Sequence, residues 1–250
     1  MASTFFGLHI GSSALSSFQV ATNTTANNIA NVKTTGYTRQ EATLQAKDAI
    51  NVTARYGSVG TGVTVTSIKQ QRDLYYDNKY WENNSCYGRY EQKLYYMEQI
   101  QNYFKDNGSS VKGFSSVFSQ MFSDLDTLRS KPSDKTVRNQ FISSAQSLCT
   151  YFNQMSDNLS KLQDDCNEEI RNNVDKINSI SEKISLLNKE INQIETGTGV
   201  EASSLRDERA NLIDSLSKIV NVSYNETEVQ NTYGDNLGGT TSVSYTHLRA

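Results

Sequence analysis

The sequence holds one proline in 250 residues, Pro132. Proline interrupts helices more firmly than any other residue, so almost nothing here forbids very long ones. Histidine is nearly as scarce. His9 and His247 each sit near a terminus, which leaves no Ser-His-Asp, Cys-His or His-Glu-x-x-His arrangement and sets a histidine-based active site aside. The three cysteines, Cys86, Cys149 and Cys166, are odd in number and widely spaced. That rules out a fully paired disulfide framework and gives no metal-ligand spacing, so they read as buried or incidental thiols.

No run of 18 apolar residues occurs, and Met1 to Gln19 carries no Lys or Arg ahead of its short apolar stretch. Neither a spanning helix nor an ordinary secretory signal fits, and export from the cell would need another route. Lys and Arg number 24 against 27 Asp and Glu, a net charge of −3, with no basic cluster. Nucleic acid and anionic membrane both require concentrated positive charge and are disfavoured as partners. Gly60-Thr61-Gly62 and Gly197-Thr198-Gly199 lack the further glycines of a dinucleotide loop and the Gly-Lys-Ser/Thr ending of a phosphate loop, so they read as turns. Asp164, Asp165, Glu168 and Glu169 flank Leu162, Cys166 and Ile170, where a solvated helix face expects charge rather than paired catalytic carboxylates. Composition and motifs therefore yield no catalytic, cofactor-binding or metal-binding residue, and no cofactor.

What is present is helical patterning. Hydrophobic residues make up 36% and the mean hydropathy is −0.60, lean for a compact globule but ordinary for a long bundle with wide solvated faces. From Val137 to Ile194 apolar residues recur about every 3.56 positions, between the straight-helix and coiled-coil periods. Pro132-Ser133-Asp134 supplies a start and Gly197 with Gly199 a stop. Partner helices are predicted over Val111 to Leu128 and from Ser204, where Ser204 and Asp207 have capping-box spacing, to Ile219. A fourth helix is predicted over about Arg72 to Phe104. Eight of the 14 tyrosines lie there, along with Trp81. Its face of Tyr76, Tyr80, Tyr90, Leu94, Met97, Ile100 and Phe104 reads as bundle core and rim in preference to a sticky aromatic surface.

Between Gln40 and Lys69 the period changes to alternation, Val63 and Val65 against Thr64 and Thr66, with Gly57, Gly60 and Gly62 ahead of them. A small β-hairpin near residues 50–70 is expected. After Val220, Val222 and Tyr224 followed by Gly238-Gly239 suggest strands opening another domain. The first 35 residues place Phe5, Leu8, Leu15, Phe18, Thr22, Ile29 and Val32 at near-helical spacing among Ser, Thr and Asn. Such a thin stripe makes a marginal helix that orders on docking. The fold class is thus mainly α: an elongated antiparallel helical bundle with a long central helix, a β-hairpin, and the start of a β-rich domain at the C-terminus.

The stretch Thr22 to Gln40 contains Asn27-Asn28-Ile29-Ala30-Asn31 and Thr34-Thr35-Gly36-Tyr37. It strongly resembles the N-terminal signature of bacterial flagellar rod, hook and hook-associated proteins, Asn-Asn-Ile-Ala-Asn followed by Thr-x-Gly-Tyr. Asn side chains suit a helix end, and Gly36 can take the positive φ that turns the chain out of it. Val59 to Val65, Arg72-Asp73, Leu205 to Ile213 and Ile219 to Val222 look like the hook-associated protein 1 branch of that family, so the resemblance covers roughly residues 1–230.

The resemblance implies a structural protein, not an enzyme: copies of itself in a ring at the hook-filament junction of the extracellular flagellum. Its implied partners are the hook protein, a second hook-filament junction protein and the flagellar type III export apparatus, through which it would pass unfolded, without membrane insertion. On this reading Leu8, Leu15, Phe18, Thr22, Asn27, Asn28, Ile29 and Asn31 form an assembly interface on the first helix, with Gly36, Tyr37 and Arg39 at its exit. Substitutions such as Ile29→Asp or Gly36→Val are expected to leave the bundle folded and block incorporation. Residues 1–40 would be the inner-tube helix, disordered until assembled, 41–220 the helical rod domain with its hairpin, and 221–250 the start of a truncated β domain.

The family continues for several hundred residues, and Ser242 to Ala250 does not resemble the strands expected there, so the chain is expected to be an N-terminal fragment with a non-native tail. Two alternatives stay open. The nearest is another axial flagellar protein, a hook or distal rod subunit, against which the long 137–194 stripe counts. The other is a secreted coiled-coil module that binds through the tyrosine-rich helix. An inserted enzymatic domain beyond Val220 ranks behind both.

Overall fold

A computed structural model describes residues 5–51, 57–106, 113–230 and 236–246, the last stretch and 227–230 as backbone only. The elements run α1 (Phe6–Ala30), β1 (Gln40–Ala46), β2 (Ile50–Asn51), β3 (Ser58–Val59), β4 (Val63–Gln70), α2 (Leu74–Tyr103), α3 (Phe114–Ser130), α4 (Lys135–Thr198), α5 (Ser203–Ser217), β5 (Val222–Gln230) and β6 (Asn236–Thr246). The fold is mainly α, as the periodicity predicts. The hairpin is longer than expected, because β1 pairs antiparallel with β4 from Gln40↔Gln70 to Ala46↔Val63 and the β2-β3 pair extends it. A register shift between Thr43 and Leu44 marks a bulge. Contacts divide the chain into two units, residues 1–86 with 177–250 and residues 87–176.

In the first unit, the core gathers Trp81, Ile184, Ile213, Leu216, Val222 and Tyr224, with Ile177, Ile180, Leu212 and Val220 packed against it. Each such side chain contributes about 1.5–3 kcal/mol by leaving water. Trp81 also satisfies its polar edge, the indole N–H donating to Asp214 Oδ1 at 2.6 Å. Asp73 caps α2 by accepting from the Tyr75 amide at 2.9 Å. The predicted capping box of α5 is absent. Ala202 holds the N-cap position without a side-chain bond, and Ser204 lies inside the helix. Asp207 accepts instead from Gln70 Nε2 at 2.8 Å and from the Thr38 amide at 3.3 Å. A buried carboxylate satisfied by a strand and a loop is of more use there than at an exposed cap.

In the second unit, Phe114 stacks on Phe118 at 5.1 Å and meets Phe152 at 5.9 Å. Gln120 and Gln140 both donate to Asp124 Oδ1 at 3.0 Å. Asp106 receives the Ser116 amide at 2.9 Å, which completes the first turn of α3. Asp134 does the same for α4 through the Thr136 amide at 2.8 Å, as Pro132-Ser133-Asp134 predicts. Val111, the predicted start of α3, lies outside the described residues.

Three expectations fail on burial. The tyrosine-bearing side of α2 is not core: Tyr76, Tyr80, Tyr90, Leu94, Met97 and Phe104 are all more than half exposed. The helix packs through a more polar side, Trp81 and Asn84 in the first unit and Gln92 and Tyr96 in the second, because those side chains find hydrogen-bond partners there. The α4 stripe is buried at Ile184, Leu187 and Ile191 but stays exposed at Phe152, Ile170 and Val174. Glu169 is not merely solvated, since it accepts from Tyr96 Oη and, at 2.6 Å, from Gln92 Nε2. That bond, reinforced by burial, pushes the Tyr96 phenol far above its ordinary range. The cysteines are free, with Cys86 and Cys149 exposed and Cys166 partly covered.

β5 and β6 pair antiparallel, Val222↔Thr246 to Gln230↔Asn236, which gives the expected strands after Val220. Ser242 to Thr246 lies within β6, where the sequence suggested no strand, and residues 247–250 lie outside the described residues.

Candidate functional site

Helix α1 has two unlike sides. One docks on the hairpin through small and polar residues, with Ser17 and Thr24 buried and Ile10, Ser13, Ala14, Val20 and Ala21 partly so. Ser17 Oγ donates to the Val63 carbonyl at 3.2 Å, and the Val63 amide donates to Ser13 Oγ at 3.4 Å. Gly62 makes this approach possible, since at φ 109° a Cβ would sit 2.1 Å from Ser13 Oγ. The other side carries Leu8, Leu15, Thr22 and Ile29 at seven-residue intervals with Phe18 between; all five are exposed, as is Val32 just beyond the helix end. Leu15 is 72% exposed and Ile29 69%. Residues seven apart fall on one side of a helix, so Leu8, Leu15, Thr22 and Ile29 line a single exposed stripe.

The exit of α1 is held by its own side chains. The Asn28 amide behaves like a peptide unit toward Gln40: its Oδ1 accepts the Gln40 amide at 2.9 Å and its Nδ2 donates to the Gln40 carbonyl at 2.8 Å. Tyr37 Oη donates to Asn28 Oδ1 at 2.8 Å and accepts from Asn27 Nδ2 at 3.2 Å. Asn31 Nδ2 reaches back to the Asn27 carbonyl at 3.0 Å, and Thr34 Oγ1 donates to Asn31 Oδ1 at 3.1 Å. Desolvation, with a smaller push from Asp207, raises the Tyr37 phenol above its ordinary value. Gly36 has φ 78°, and a Cβ there would fall 1.8 Å from Asn211 Oδ1 on α5.

The eleven predicted residues therefore fall into two groups. Leu8, Leu15, Phe18, Thr22, Ile29 and Arg39 are exposed, whereas Asn27, Asn28, Asn31, Gly36 and Tyr37 are engaged in fixing the turn from α1 into β1. The sequence predicts that Gly36 tolerates substitution with the bundle still folded; its positive φ and the nearness of the Asn211 side chain add that a Cβ there would strain the exit locally. Val32, placed in the same stripe by the sequence, is exposed just beyond the end of the helix. Sequence reasoning missed the Ser13-Ser17-Thr24 side, although hydroxyls at those intervals are visible in the sequence. It also missed Asp207 and Asn211, which no local pattern connects to residues 36–38. Among the described residues there is no group of three metal-ligating side chains and no helix long and apolar enough to cross a membrane.

Residues 97–245 match the family described as "Flagellar hook-associated protein FlgK helical domain". The chain belongs to that family. Residues 8–38, which comprise α1 and its exit, match the family described as "Flagella basal body rod protein". Curated relatives named flagellar hook-associated protein 1 include one from Bacillus subtilis, 34% identical over 90% of this chain and 45% of its own length. Another, from Salmonella typhimurium, is 33% identical over 84% of this chain and 37% of its own. A third, from Escherichia coli, is 31% identical over 93% of this chain and 40% of its own. The chain thus spans less than half the length of these hook-associated relatives. The solved structure of the flagellar hook junction protein FlgK from Burkholderia pseudomallei aligns with a TM-score of 0.48 at 20% identity, over 70% of this chain and 34% of that one.

Proposed function

We propose that this chain is a structural subunit of the junction between flagellar hook and filament, working by self-assembly and not by catalysis. The observation that carries the reading is the exposed side of α1, Leu8, Leu15, Phe18, Thr22 and Ile29, continued by Val32 just past its end, on a helix whose opposite side is already docked. A surface helix that keeps its apolar repeat in water contributes little to its own chain and is suited to packing against helices supplied by other subunits. Copies of the chain form a ring, residues 1–40 enter the inner tube, and 41–220 form the rod around it. Residues 221–250 begin a further β-structured part. The hook protein and a second junction protein lie on either side.

Delivery is through the flagellar type III export apparatus in an unfolded state. The small buried area of α1 supports that step, because a helix with two buried residues is readily unfolded and gains its stability on assembly. Asn27, Asn28, Asn31, Gly36 and Tyr37 serve assembly by setting the direction in which α1 leaves the hairpin, and Arg39 stands exposed at that exit.

The test is complementation of cells whose own hook-associated protein gene is deleted. Leu15→Asp and Ile29→Asp are expected to leave helical content by circular dichroism and export unchanged while abolishing hook-filament joints, so that filament subunits are shed into the medium. Normal joints with both variants would overturn the proposal.

A further inference from the structure

Strand β5 turns one side toward the helices: Val222 and Tyr224 are buried and Glu226 half-buried, while Ser223 and Asn225 face outward. Along that side the chemistry changes from apolar to ionic. Tyr224 meets Trp81 edge-on at 5.5 Å. Its hydroxyl accepts from Arg209 Nη2 at 2.7 Å, and the Arg209 guanidinium lies 5.5 Å from its ring centre. Glu226 Oε1 then accepts from Arg206 Nη1 at 3.0 Å and from Arg209 Nη2 at 3.2 Å.

The two arginines are held from the other side by α4. Glu195, 3% exposed, takes Arg206 in a two-pronged pair, Nε to Oε1 at 2.6 Å and Nη2 to Oε2 at 2.8 Å. It also accepts the Ala202 amide at 3.1 Å. Asn188 Oδ1 accepts from Arg209 Nη1 at 3.1 Å. Two arginines on α5, three residues apart and so on one face, are thereby shared between α4 and β5. The planar fork of arginine is suited to such sharing, since it presents several donors in fixed directions.

From these contacts we propose that Glu226 is the catch of a latch that fixes the direction in which the β5-β6 ribbon leaves the helices. A two-stranded ribbon is marginal in water without further packing. The described side chains at its root, Val222, Tyr224 and Glu226, therefore bear on its orientation, and among them Glu226 supplies the charge contact. Glu195 and Arg206 form the fixed half, because their pairing lies between α4 and α5 and persists when Glu226 is removed. Arg209 and Tyr224 form the bearing on which the strand rests. The proposal stands independently of the assembly role.

The test is amide hydrogen exchange on the 250-residue chain, comparing wild type with Glu226→Gln and Tyr224→Phe. Glu226→Gln keeps shape and removes the negative charge that faces both arginines. It is expected to speed exchange over residues 222–226 roughly ten- to hundred-fold while residues 180–217 keep wild-type rates. Tyr224→Phe keeps the ring on Trp81 and loses one hydroxyl, so a smaller acceleration confined to the same segment is expected. Wild-type rates over 222–226 in both variants would overturn the proposal. So would equal acceleration of α5 and β5, which would make the network general support and not a latch. If Glu226→Gln fails to fold, the Tyr224→Phe comparison decides by the same criteria.

Discussion

The indole N–H of Trp81 donates to Asp214 Oδ1 at 2.6 Å, across 133 positions of sequence. Asn84 Nδ2, one turn later on α2, donates to the Asp214 carbonyl at 3.1 Å and to Ser217 Oγ at 2.8 Å. The start of α2 and the end of α5 are thus joined by polar bonds beside the main apolar cluster. A buried tryptophan serves both, with its ring in the cluster and its nitrogen on the carboxylate.

Trp81→Ala is expected to destabilise the chain by about 3–5 kcal/mol, the usual cost of emptying a large buried aromatic site. Trp81→Phe keeps most of the volume and leaves Asp214 without its donor, at a cost of about 1–3 kcal/mol. Urea unfolding followed by circular dichroism measures both. Trp81 is the one tryptophan in the sequence, so wild-type fluorescence is expected to be blue-shifted and inaccessible to quenchers until that same transition.

Gly36→Val is expected to lower stability by about 1–2 kcal/mol through backbone strain alone, because a β-branched residue resists φ 78°. Displacement of the Asn211 side chain adds to this. In contrast, Ile29→Asp is expected to change stability by less than about 1 kcal/mol, since Ile29 is largely exposed. Unfolding midpoints for the two variants, measured side by side, separate a residue that shapes the exit of α1 from one that faces outward.

Asn28→Ala removes three hydrogen bonds at once, two to Gln40 and one from Tyr37. The expected loss is about 1–3 kcal/mol, read locally as faster amide exchange at residues 37–41. Unchanged exchange there would mean that the hairpin alone holds the exit.

Helix α1 buries only Ser17 and Thr24, whereas Ile184, Leu187, Ile191, Ile213 and Leu216 are buried in α4 and α5. In the isolated chain, amides of residues 6–30 are expected to exchange orders of magnitude faster than those of 180–216. Comparable protection of both segments would show that α1 needs no partner.

Burial raises the Glu201 carboxyl above its ordinary value, opposed by nearby Arg206 and by the Gln70 amide. A carboxyl raised in the folded state holds its proton more tightly there than in the unfolded chain, so stability is lost as pH climbs from the ordinary carboxylate value through the raised one. Glu201→Gln carries no charge at any pH. Its unfolding midpoint relative to wild type is therefore expected to be higher at pH about 7 than at pH about 4, a range that brackets the usual glutamate value.

The helices, the hairpin and the family were legible in residue order alone. The 3.56-residue repeat from Val137 to Ile194 requires a helix wherever the chain lies, and one proline leaves it uninterrupted. The Asn-Asn-Ile-Ala-Asn and Thr-x-Gly-Tyr segments were equally legible, because a helix exit built on Asn side chains and a positive-φ glycine is a local matter. Which sides are covered follows only from how the elements pack in space. The apolar stripes of α1 and α2 and part of that of α4 remain in water, while Ser17, Thr24, Asp207 and Arg209 are buried. Periodicity records that a helix has an apolar side, not that its own chain supplies the cover. The latch at Glu226 and the approach of Asn211 to Gly36 join residues from distant parts of the sequence, and only the folded chain brings such groups within bonding distance.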